Sequence, residues 1–364
     1  MKVAHVYKDF FPPLMAGITR YLRDIADESA RRGLDVAVHV AGVRRSRRDV
    51  LPSGVVVHRH RELARLLSAP VIPGLIRMSE WDADVLHVHM PNPSGDLGVA
   101  LRSGDPPIVV SFHSQLARQR FLEPVYGPVR RRVLNRAAAV LVSSERMAAV
   151  PELAAVRSKV TVLPYGVSPT TVAGRHDDDD GDPRMRVLFV GRLVYYKGVD
   201  VLLEAAARVD QTSITIVGDG PLRGRLEGLA RGLGIDQRTR FAGYVDDDAL
   251  REMYATHDAF VLPSVSRSEA FGLSLAEAMA NGLPVVSTRL GTGTDWVNAH
   301  DESGLVVPPG DVGALAAALE ALCSPDRRRR LGAGARERAT RLFSFSQHVD
   351  QLIEIYDHAV KAGH

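Results

Sequence analysis

The sequence has 364 residues, 45% hydrophobic and 24% charged, a composition that excludes a disordered or fibrous chain and suffices for two globular domains. Its single cysteine, Cys323, excludes a disulfide framework or a cysteine metal cluster and indicates a reducing, cytoplasmic setting. The net charge of +3 conceals a basic half, since residues 1–174 carry 24 Lys and Arg against 15 Asp and Glu, whereas residues 175–364 carry 22 against 28.

The first half of the chain alternates short apolar runs with amphipathic segments, which predicts a doubly wound parallel sheet over residues 1–170. It opens as a strand without the apolar core of a signal peptide, and no stretch approaches the roughly 20 apolar residues of a membrane span. Strands are predicted at Val3–Tyr7, Asp35–Val40, Val55–His58, Asp84–His89, Pro107–Phe112, Ala139–Val142 and Lys159–Leu163. Helices are predicted at Ile18–Arg32, at Glu62–Ser79 (broken by Pro70 and Pro73), between the fourth and fifth strands, and at Glu123–Ala137. A basic loop is predicted at Arg44–Arg48.

An acidic segment follows the first half. Residues 171–184 include four consecutive aspartates, 177–180, beside Gly181 and Pro183, and predict an exposed linker. A metal-binding cluster of aspartates is the alternative interpretation, although such runs are usually solvated.

The second half, residues 185–345, repeats the alternation. Strands are predicted at Val187–Val190, Ser213–Val217, Arg240–Ala242, Asp258–Leu262 and Pro284–Ser287. Helices are predicted at Gly198–Val209, Leu222–Leu233, Asp247–Tyr254, Ser274–Ala280, Val312–Leu322 and Pro325–Arg338. A final helix within residues 346–364, predicted at Ser346–Lys361, places Val349, Leu352 and Tyr356 on one face that must pack against another surface.

Two glutamates flank the predicted helix that follows the strand Asp258–Leu262. Glu269 falls in the loop between strand and helix, where open α/β sheets bind their ligands, and Glu277 lies two turns into the helix. Backbone N–H groups at the helix start, about Phe271–Ser274, favour an anion. Carboxylates can bind hydroxyl groups, and the start of a helix can bind a phosphate. Together they suggest a nucleotide-sugar site.

Two cations occupy the loop after the strand Val187–Val190. Arg192 and Lys197 stand directly before a predicted helix, where positive charge is unfavourable unless an anion is bound. A guanidinium fork and a mobile ammonium can converge on a diphosphate, so a phosphate site is favoured over a pair of surface cations.

The first half offers weaker candidates. Gly17 would begin the first helix and allow a ligand to approach the backbone, or would serve only as a turn. His113 follows a predicted strand at its ligand-binding end. His87 and His89 alternate on one strand and could bind a metal, but no third ligand appears at a telling spacing, so a core role is favoured.

Together these residues resemble the retaining glycosyltransferases of family 4. The most specific part is Glu269–Ala270–Phe271–Gly272–Leu273 through Glu277, which looks like the family's E-x7-E motif. The segment 191–198, GRLVYYKG, looks like its phosphate loop, and 162–167, VLPYGV, looks like its exit from the N-terminal domain. The resemblance covers nearly the whole chain, and it departs at Ala16–Gly17, where many members carry two glycines.

The resemblance implies the GT-B fold, with two Rossmann-like α/β domains facing a deep cleft and the last helix crossing back to the first domain. It implies that Arg192 and Lys197 hold the donor diphosphate, Glu277 the ribose and Glu269 the donor sugar. It also implies that His113 lies beside the reacting sugar. Residues implied to contact the donor are completed by Gly17, Gly243, Tyr244, Val245, Phe271, Gly272, Leu273 and Ser274.

The implied reaction transfers a hexosyl group from a nucleotide-diphosphate sugar to a hydroxyl acceptor with retention, without a metal or other cofactor. Two alternatives remain: a nucleotide-sugar 2-epimerase of the same fold, and a nucleic-acid-binding protein that uses the basic half. Nucleic acid is disfavoured because no stacking-aromatic platform accompanies the charges.

The basic patches Arg44–Arg48, Arg61–Arg77 and Arg118–Arg132 suggest peripheral contact with an anionic membrane at its inner face, if the acceptor is a lipid. The stretch Leu63–Trp81 mixes apolar residues with arginine as interfacial helices do.

Overall fold

A computed structural model describes residues 1–10, 17–42, 45–66, 69–77, 82–102, 104, 106–113, 123–169 and 183–363. The chain divides into two compact units. The first unit comprises Met1–Tyr165 with Ser346–His364, and the second comprises Gly166–Phe345. Most of the predicted linker, 171–184, lies outside the described residues.

The first unit is built on an eight-stranded sheet in the order β10-β9-β8-β7-β1-β2-β4-β3. Its strands are parallel except for β3, which runs antiparallel to β4 at the sheet edge. The strands are β1 Lys2–Val6, β2 Asp35–Gly42, β3 Arg47–Val50, β4 Val56–Arg61, β5 Ala64–Leu66, β6 Ala69–Val71, β7 Val85–Met90, β8 Ile108–Phe112, β9 Ala139–Val142 and β10 Val160–Val162. The helices are α1 Gly17–Arg31, α2 Pro73–Ile76, α3 Pro93–Leu101, α4 Glu123–Arg136 and α5 Glu145–Ala148.

The second unit contains a six-stranded parallel sheet in the order β13-β12-β11-β14-β15-β16. The strands are β11 Met185–Val190, β12 Thr212–Val217, β13 Thr239–Gly243, β14 Ala259–Leu262, β15 Val285–Thr288 and β16 Gly304–Val307. The helices are α6 Val199–Ala206, α7 Arg223–Gly232, α8 Asp247–Thr256, α9 Leu273–Ala280, α10 Thr294–Val297, α11 Val312–Leu322 and α12 Pro325–Leu342. Short 3-10 segments occur at Pro151–Lys159, Tyr195–Lys197 and Asp236–Arg238.

The central strands are buried along their whole length, which explains their unbroken apolar runs. Every residue of β7, β8, β14 and β15 is buried. Parallel strands covered on both faces read as continuous Val, Ile and Leu rather than as an alternating pattern. The predicted strands and the parallel α/β architecture are therefore confirmed.

The predicted helix at Glu62–Ser79 is wrong. The segment instead forms β5 and β6, paired antiparallel in a small sheet of their own, and then the short helix α2. Proline removes a helical N–H and clashes with the preceding turn, so Pro70 lies in β6 and Pro73 begins α2, where no N–H partner is needed.

The basic segment predicted as a loop at Arg44–Arg48 is partly a strand. Arg47 and Arg48 begin the edge strand β3, and its Asp49 is 2.9 Å from Arg59 of β4 in an ion pair across the two strands. Edge strands tolerate such charged residues because one side faces solvent.

The last helix, α13 Phe345–Gly363, belongs almost entirely to the first unit. Its buried face contains Val349, Leu352 and Tyr356, as the spacing predicts. The Tyr356 hydroxyl lies 2.6 Å from Nδ1 of His87, in the middle of the first sheet. The helix therefore completes the core of the unit with which the chain begins.

Candidate functional site

The strand order of the second unit defines a topological switch point between β11 and β14. The chain passes from β11 to β12 on one side, whereas β14 pairs with β11 on the other. The loops after these two strands leave the same sheet edge, and ligands of open α/β sheets bind where such connections diverge. Residues 191–198 and 263–272, which carry the predicted site, follow β11 and β14 respectively.

A glycine allows these two loops to pack against each other. Gly198 has φ +64°, and a Cβ there would collide with the carbonyl oxygen of Pro263. The Val265 N–H donates to the Tyr196 carbonyl oxygen at 2.8 Å. Because only glycine fits this close, left-handed position without strain, Gly198 fixes the spacing of the two loops.

Lys197 and Glu269 form a buried ion pair between the two loops. The Lys197 Nζ lies 2.6 Å from Oε2 of Glu269, and the residues are only 9% and 8% exposed. Ser264 Oγ donates to the same carboxylate oxygen at 3.0 Å. Burial alone would lower the pKa of Lys197, but attraction to Glu269 and Tyr196 and the hydrogen bond to Glu269 together raise it. Lys197 therefore stays cationic, and its ammonium carries more N–H donors than Glu269 uses.

Arg192 lies in the same loop as Lys197 and is exposed. Within the described ranges its guanidinium makes no hydrogen bond or ion pair. Burial raises the pKa of the nearby Tyr196, and the positive charges of Lys197 and Arg192 oppose that rise only in part. The site thus presents one cation held by a carboxylate and one that is free to take a ligand anion.

The start of α9 adds N–H groups to the same edge. Gly272 caps the helix with φ +82°. The N–H groups of Leu273 and Ser274 find no acceptor in the described part of the chain. The Glu277 carboxylate, half-buried, accepts from the Tyr254 hydroxyl at 2.8 Å. The Phe271 ring packs edge-on against Phe343, so its predicted ligand contact falls to its backbone.

The loop after β12 packs against residues 191–193 of the candidate phosphate loop. The Leu193 N–H donates to the Asp219 carbonyl oxygen at 2.9 Å, and a Cβ at Gly218 or Gly220 would collide with backbone carbonyls of the 191–193 segment. The Asp219 side chain accepts from its neighbour, the Gly220 N–H, at 2.6 Å. These contacts make Asp219 a turn-forming residue that supports the 191–193 segment.

Gly243, Tyr244 and Val245 follow β13, which is separated from β11 by β12. Gly243 has φ +69°, and its carbonyl oxygen accepts from the Gly218 N–H at 2.8 Å, while Tyr244 is 59% exposed. These residues flank the switch point rather than line it.

Gly17 and His113 belong to the first unit. Gly17 is the exposed first residue of α1, and its partner in the sequence motif, Ala16, lies outside the described residues. His113 is buried, with Nε2 2.8 Å from Nδ1 of His89 and Nδ1 2.6 Å from the Tyr165 hydroxyl. Both ring nitrogens are thus engaged inside the unit, and burial lowers the pKa of His113 to about 3.

A third histidine, missed in the sequence, joins His87 and His89. His5 on β1 pairs in register with His87 on β7, and one ring nitrogen from each of the three lies within 4.8 Å of the others. Burial lowers the pKa of all three, so they are neutral, and His87 hydrogen-bonds Tyr356 and Ser111. The parallel register, which no single strand reveals, is the signal that would have found this group.

The basic patches are partly neutralised. Arg59 pairs with Asp49, Arg130 with Glu123 and Arg65 with Glu62. Among the described residues of these patches, the exposed arginines without an ion pair are Arg45, Arg48, Arg61, Arg77, Arg131 and Arg132. The interfacial helix suggested for Leu63–Trp81 is not formed over residues 63–66 and 69–72, and only Pro73–Ile76 is helical; residues 67–68 and 78–81 lie outside the described residues. Among the helices that the structure describes, none combines the length and apolar character that a bilayer crossing needs.

Two family models match this chain in succession. The model described as glycosyltransferase family 4 matches residues 15–171, and the model described as glycosyl transferases group 1 matches residues 179–338. The first thus covers most of the first unit and the second covers the candidate site.

Curated relatives extend the match to nearly the full chain. The D-rhamnosyltransferase WbpZ of Pseudomonas aeruginosa is 34% identical, with 94% of this chain and 92% of the relative aligned. The O-antigen chain mannosyltransferase C of Escherichia coli is 30% identical over 98% of each chain. A phosphatidyl-myo-inositol mannosyltransferase of Mycobacterium leprae is 32% identical over 83% of this chain and 81% of its own.

Solved structures share the fold. Sucrose-phosphate synthase of Thermosynechococcus elongatus has a TM-score of 0.84 at 23% identity, with 99% of both chains aligned. HepE of Anabaena, solved in complex with UDP and glucose, has a TM-score of 0.78 at 18% identity, with 97% of this chain and 98% of HepE aligned. At these identities the likeness shows the fold alone, and that fold is the GT-B architecture predicted from the sequence.

Proposed function

The chain belongs to the group 1 glycosyltransferases of family 4, and from that premise we propose that it is a retaining hexosyltransferase with a nucleotide-diphosphate sugar as donor. That it transfers a sugar to an acceptor in glycolipid or polysaccharide synthesis follows from its family and relatives. The donor class is supported by HepE, which was solved with UDP and with UDP-glucose.

The observation that carries the proposal is the buried Lys197–Glu269 pair beside the unpaired Arg192 at the switch point. Burying an ion pair is costly, so its placement at a ligand-binding edge indicates a functional need for charge there. We assign the donor diphosphate to Arg192, Lys197 and the N–H groups of Leu273 and Ser274.

Glu269 and Glu277 would then hold hydroxyl groups of the donor. We assign the ribose hydroxyl groups to the Glu277 carboxylate, which the Tyr254 hydroxyl orients by donating a hydrogen bond of 2.8 Å. Glu269 would hold the transferred sugar while it orients Lys197 towards the phosphate. The predicted roles of Gly17 and His113, and of 243–245 near the base, stay predictions from the family resemblance.

In the proposed reaction, the bond between the anomeric carbon and the diphosphate oxygen breaks, and a bond to the acceptor oxygen forms on the same face. The acceptor proton passes to the departing diphosphate. Negative charge grows on that diphosphate, and preorganised cations and amides stabilise it most strongly in the transition state. This assigns to Arg192 and Lys197 the role that a metal ion fills in other transferases.

The decisive experiment is a screen of UDP-, GDP- and dTDP-sugars for slow hydrolysis and thermal stabilisation of the protein. Arg192→Ala should lower turnover of the active donor by roughly a hundredfold or more, as losing a donor to developing charge does elsewhere. Arg225→Ala is the matched control, because Arg225 is also exposed in the second unit and has no partner among the described residues. Equal activity in both variants would remove the diphosphate assignment.

The relatives named above are transferases, and no observation favours the 2-epimerase or nucleic-acid alternatives. Product analysis separates the epimerase, which would release an epimerised nucleotide sugar without a glycoside.

We also propose peripheral contact with an anionic membrane through the α3–α4 surface of the first unit. Leu101 and Val125 are 67% and 77% exposed, and Arg132 Nε donates to the Ala100 carbonyl oxygen at 2.6 Å, next to Leu101. Exposed apolar side chains flanked by arginine suit an anionic interface. Arg131→Glu with Arg132→Glu should abolish retention on anionic liposomes at low salt, while Arg225→Glu should not; equal retention would refute the surface.

A further inference from the structure

The first sheet has a switch point of its own, between β1 and β7. The chain proceeds from β1 to β2 on one side, and β7 pairs with β1 on the other. Lys8 follows β1 and Asn92 follows β7, so both stand at the edge where ligands of open sheets bind. Gly17, which the family resemblance places near the donor, begins the helix after β1, whereas the residues to which we assign the donor diphosphate lie in the second unit.

Asn92 stands at the cap of α3 without acting as a cap. It is fully buried, yet its side chain accepts no hydrogen bond from the first turn of the helix. Neither Nδ2 nor Oδ1 of its amide has a partner in the described structure. A Cβ at Gly95 would collide with the amide, so glycine leaves the space that it occupies. Buried amides are almost always paired, and one with both ends free indicates a missing partner.

Asp96, one turn further along α3, is also fully buried and half satisfied. Its Oδ2 accepts from the Asn92 N–H at 2.9 Å and from the Tyr126 hydroxyl, whereas Oδ1 has no partner in the described structure. Arg130 Nε, on the neighbouring helix α4, is likewise buried and unpaired there, although the rest of its guanidinium pairs with Glu123. Unpaired buried polar atoms thus gather around α3 and α4.

The charges around this group decide what could complete it. Burial raises the pKa of Asp96 to about 7. The half-buried Lys8 and the nearby Arg130 act in the opposite direction, because their positive charges lower that pKa. The Asp96 carboxylate would repel an anion, and the positive charges of Lys8 and Arg130 would repel a cation. A neutral ligand that both donates and accepts avoids both conflicts. Adjacent hydroxyl groups of a sugar have this property, and they match an amide beside a carboxyl group.

We propose that Asn92 and Asp96 form a subsite for vicinal hydroxyl groups of the acceptor sugar, placed at the switch point of the first sheet. The inference rests on the proposed glycosyl transfer, because it supplies the acceptor for that reaction. It adds the chemical class of the acceptor group: a neutral diol rather than a phosphate.

The test measures binding without turnover. Saturation-transfer NMR would be recorded on the full-length protein with methyl α-mannoside, methyl β-glucoside and inorganic phosphate as probes. At least one glycoside should bind the wild-type protein, and Asn92→Ala and Asp96→Asn should each weaken it about tenfold to a hundredfold, as expected for one or two lost hydrogen bonds. Asp96→Asn keeps an oxygen that can accept from Tyr126. It therefore still tests the subsite if Asn92→Ala fails to fold.

Ser29→Ala is the matched control, because Ser29 is a buried hydroxyl of the same unit that also lacks a partner among the described residues. It should leave glycoside binding unchanged. Thermal unfolding supplies a second readout: removing an amide that is unpaired in the free protein should leave the melting temperature of Asn92→Ala equal or higher, whereas a structural role would lower it.

Three results would overturn the subsite: no glycoside binding by the wild-type protein, unchanged binding in both variants, or binding of phosphate instead. An ordered water that completes the cluster would show itself as unchanged glycoside binding with a lowered melting temperature. Failure of the proposed transferase is a separate result, seen as no hydrolysis of any nucleotide sugar while glycoside binding persists.

Discussion

Acidification should destabilise the first unit before the second, because five buried histidines of that unit are neutral when folded. These are His5, His87, His89, His113 and His348, and burial lowers the pKa of each, to about 3 for His5 and His113 and about 4 for His348. In the unfolded chain their pKa would be about 6.5. Between these values the unfolded state binds more protons than the folded state, so the stabilisation is complete above about pH 6.5 and is lost as the pH falls.

The magnitude follows from the number of protons. Each histidine should cost roughly 1.4 kcal/mol per pH unit below its unfolded pKa, so five should remove roughly 7 kcal/mol between pH 7.5 and pH 5.5. That is a large share of the 5–15 kcal/mol typical of a folded domain. It corresponds to a fall of roughly 15–30 °C in the melting temperature of a unit of this size. His39 and His60, whose pKa values are also lowered, add to the effect.

Hydrogen exchange measured by mass spectrometry at both pH values can follow each unit separately. Peptides from β1, β7 and α13 should lose protection at pH 5.5, whereas those from β11 and β14 should keep most of theirs, since His257 is the buried histidine of the described second unit. Equal protection of both units at the two pH values would refute the reasoning.

The remaining predictions concern the candidate site. Lys197→Ala should abolish transfer and lower the free energy of unfolding by roughly 3–5 kcal/mol, because it leaves the Glu269 carboxylate buried without its partner. A double variant, Lys197→Ala with Glu269→Ala, should regain stability but not activity. An unchanged melting temperature of the single variant would contradict this reasoning. Gly198→Ala should lower donor affinity and stability through its left-handed φ and the collision with Pro263, whereas Gly224→Ala, where a Cβ meets nothing, should be neutral. Tyr254→Phe should raise the KM for the donor about tenfold without changing kcat if Glu277 holds the ribose, and an equal KM would count against that role.

The architecture could be predicted from the sequence because each buried parallel strand is marked by its own short run of apolar residues. The strand at Ala139–Val142 and the helix at Val312–Leu322 coincide with their predicted bounds, since each apolar run ends at polar or glycine-rich residues. Predictions failed where the signal was short or mixed. Gly304–Val307 is flanked by an acidic turn and two prolines, and it becomes a strand only because Gly304 lets it approach β15 closely.

The candidate site was predictable in its membership but not in its contacts. Arg192, Lys197 and Glu269 stand out by residue type and by their places after strands. That Lys197 and Glu269 touch each other depends on β11 and β14 being neighbours, which joins residues 72 positions apart. The unpaired amide of Asn92 gave no signal at all, because an asparagine before a helix ordinarily reads as its cap.

The discontinuity of the first unit has a consequence for synthesis on the ribosome. Domains are generally expected to fold from the N-terminus as they emerge. Here Tyr356, which contacts His87, and His348, which contacts Tyr21, lie on α13 and are made only after the whole of the second unit. The second unit, one continuous stretch, can fold while the first still waits for its final helix. A variant truncated after Phe345 should therefore resist protease over Gly166–Phe345 and be cut within residues 1–165.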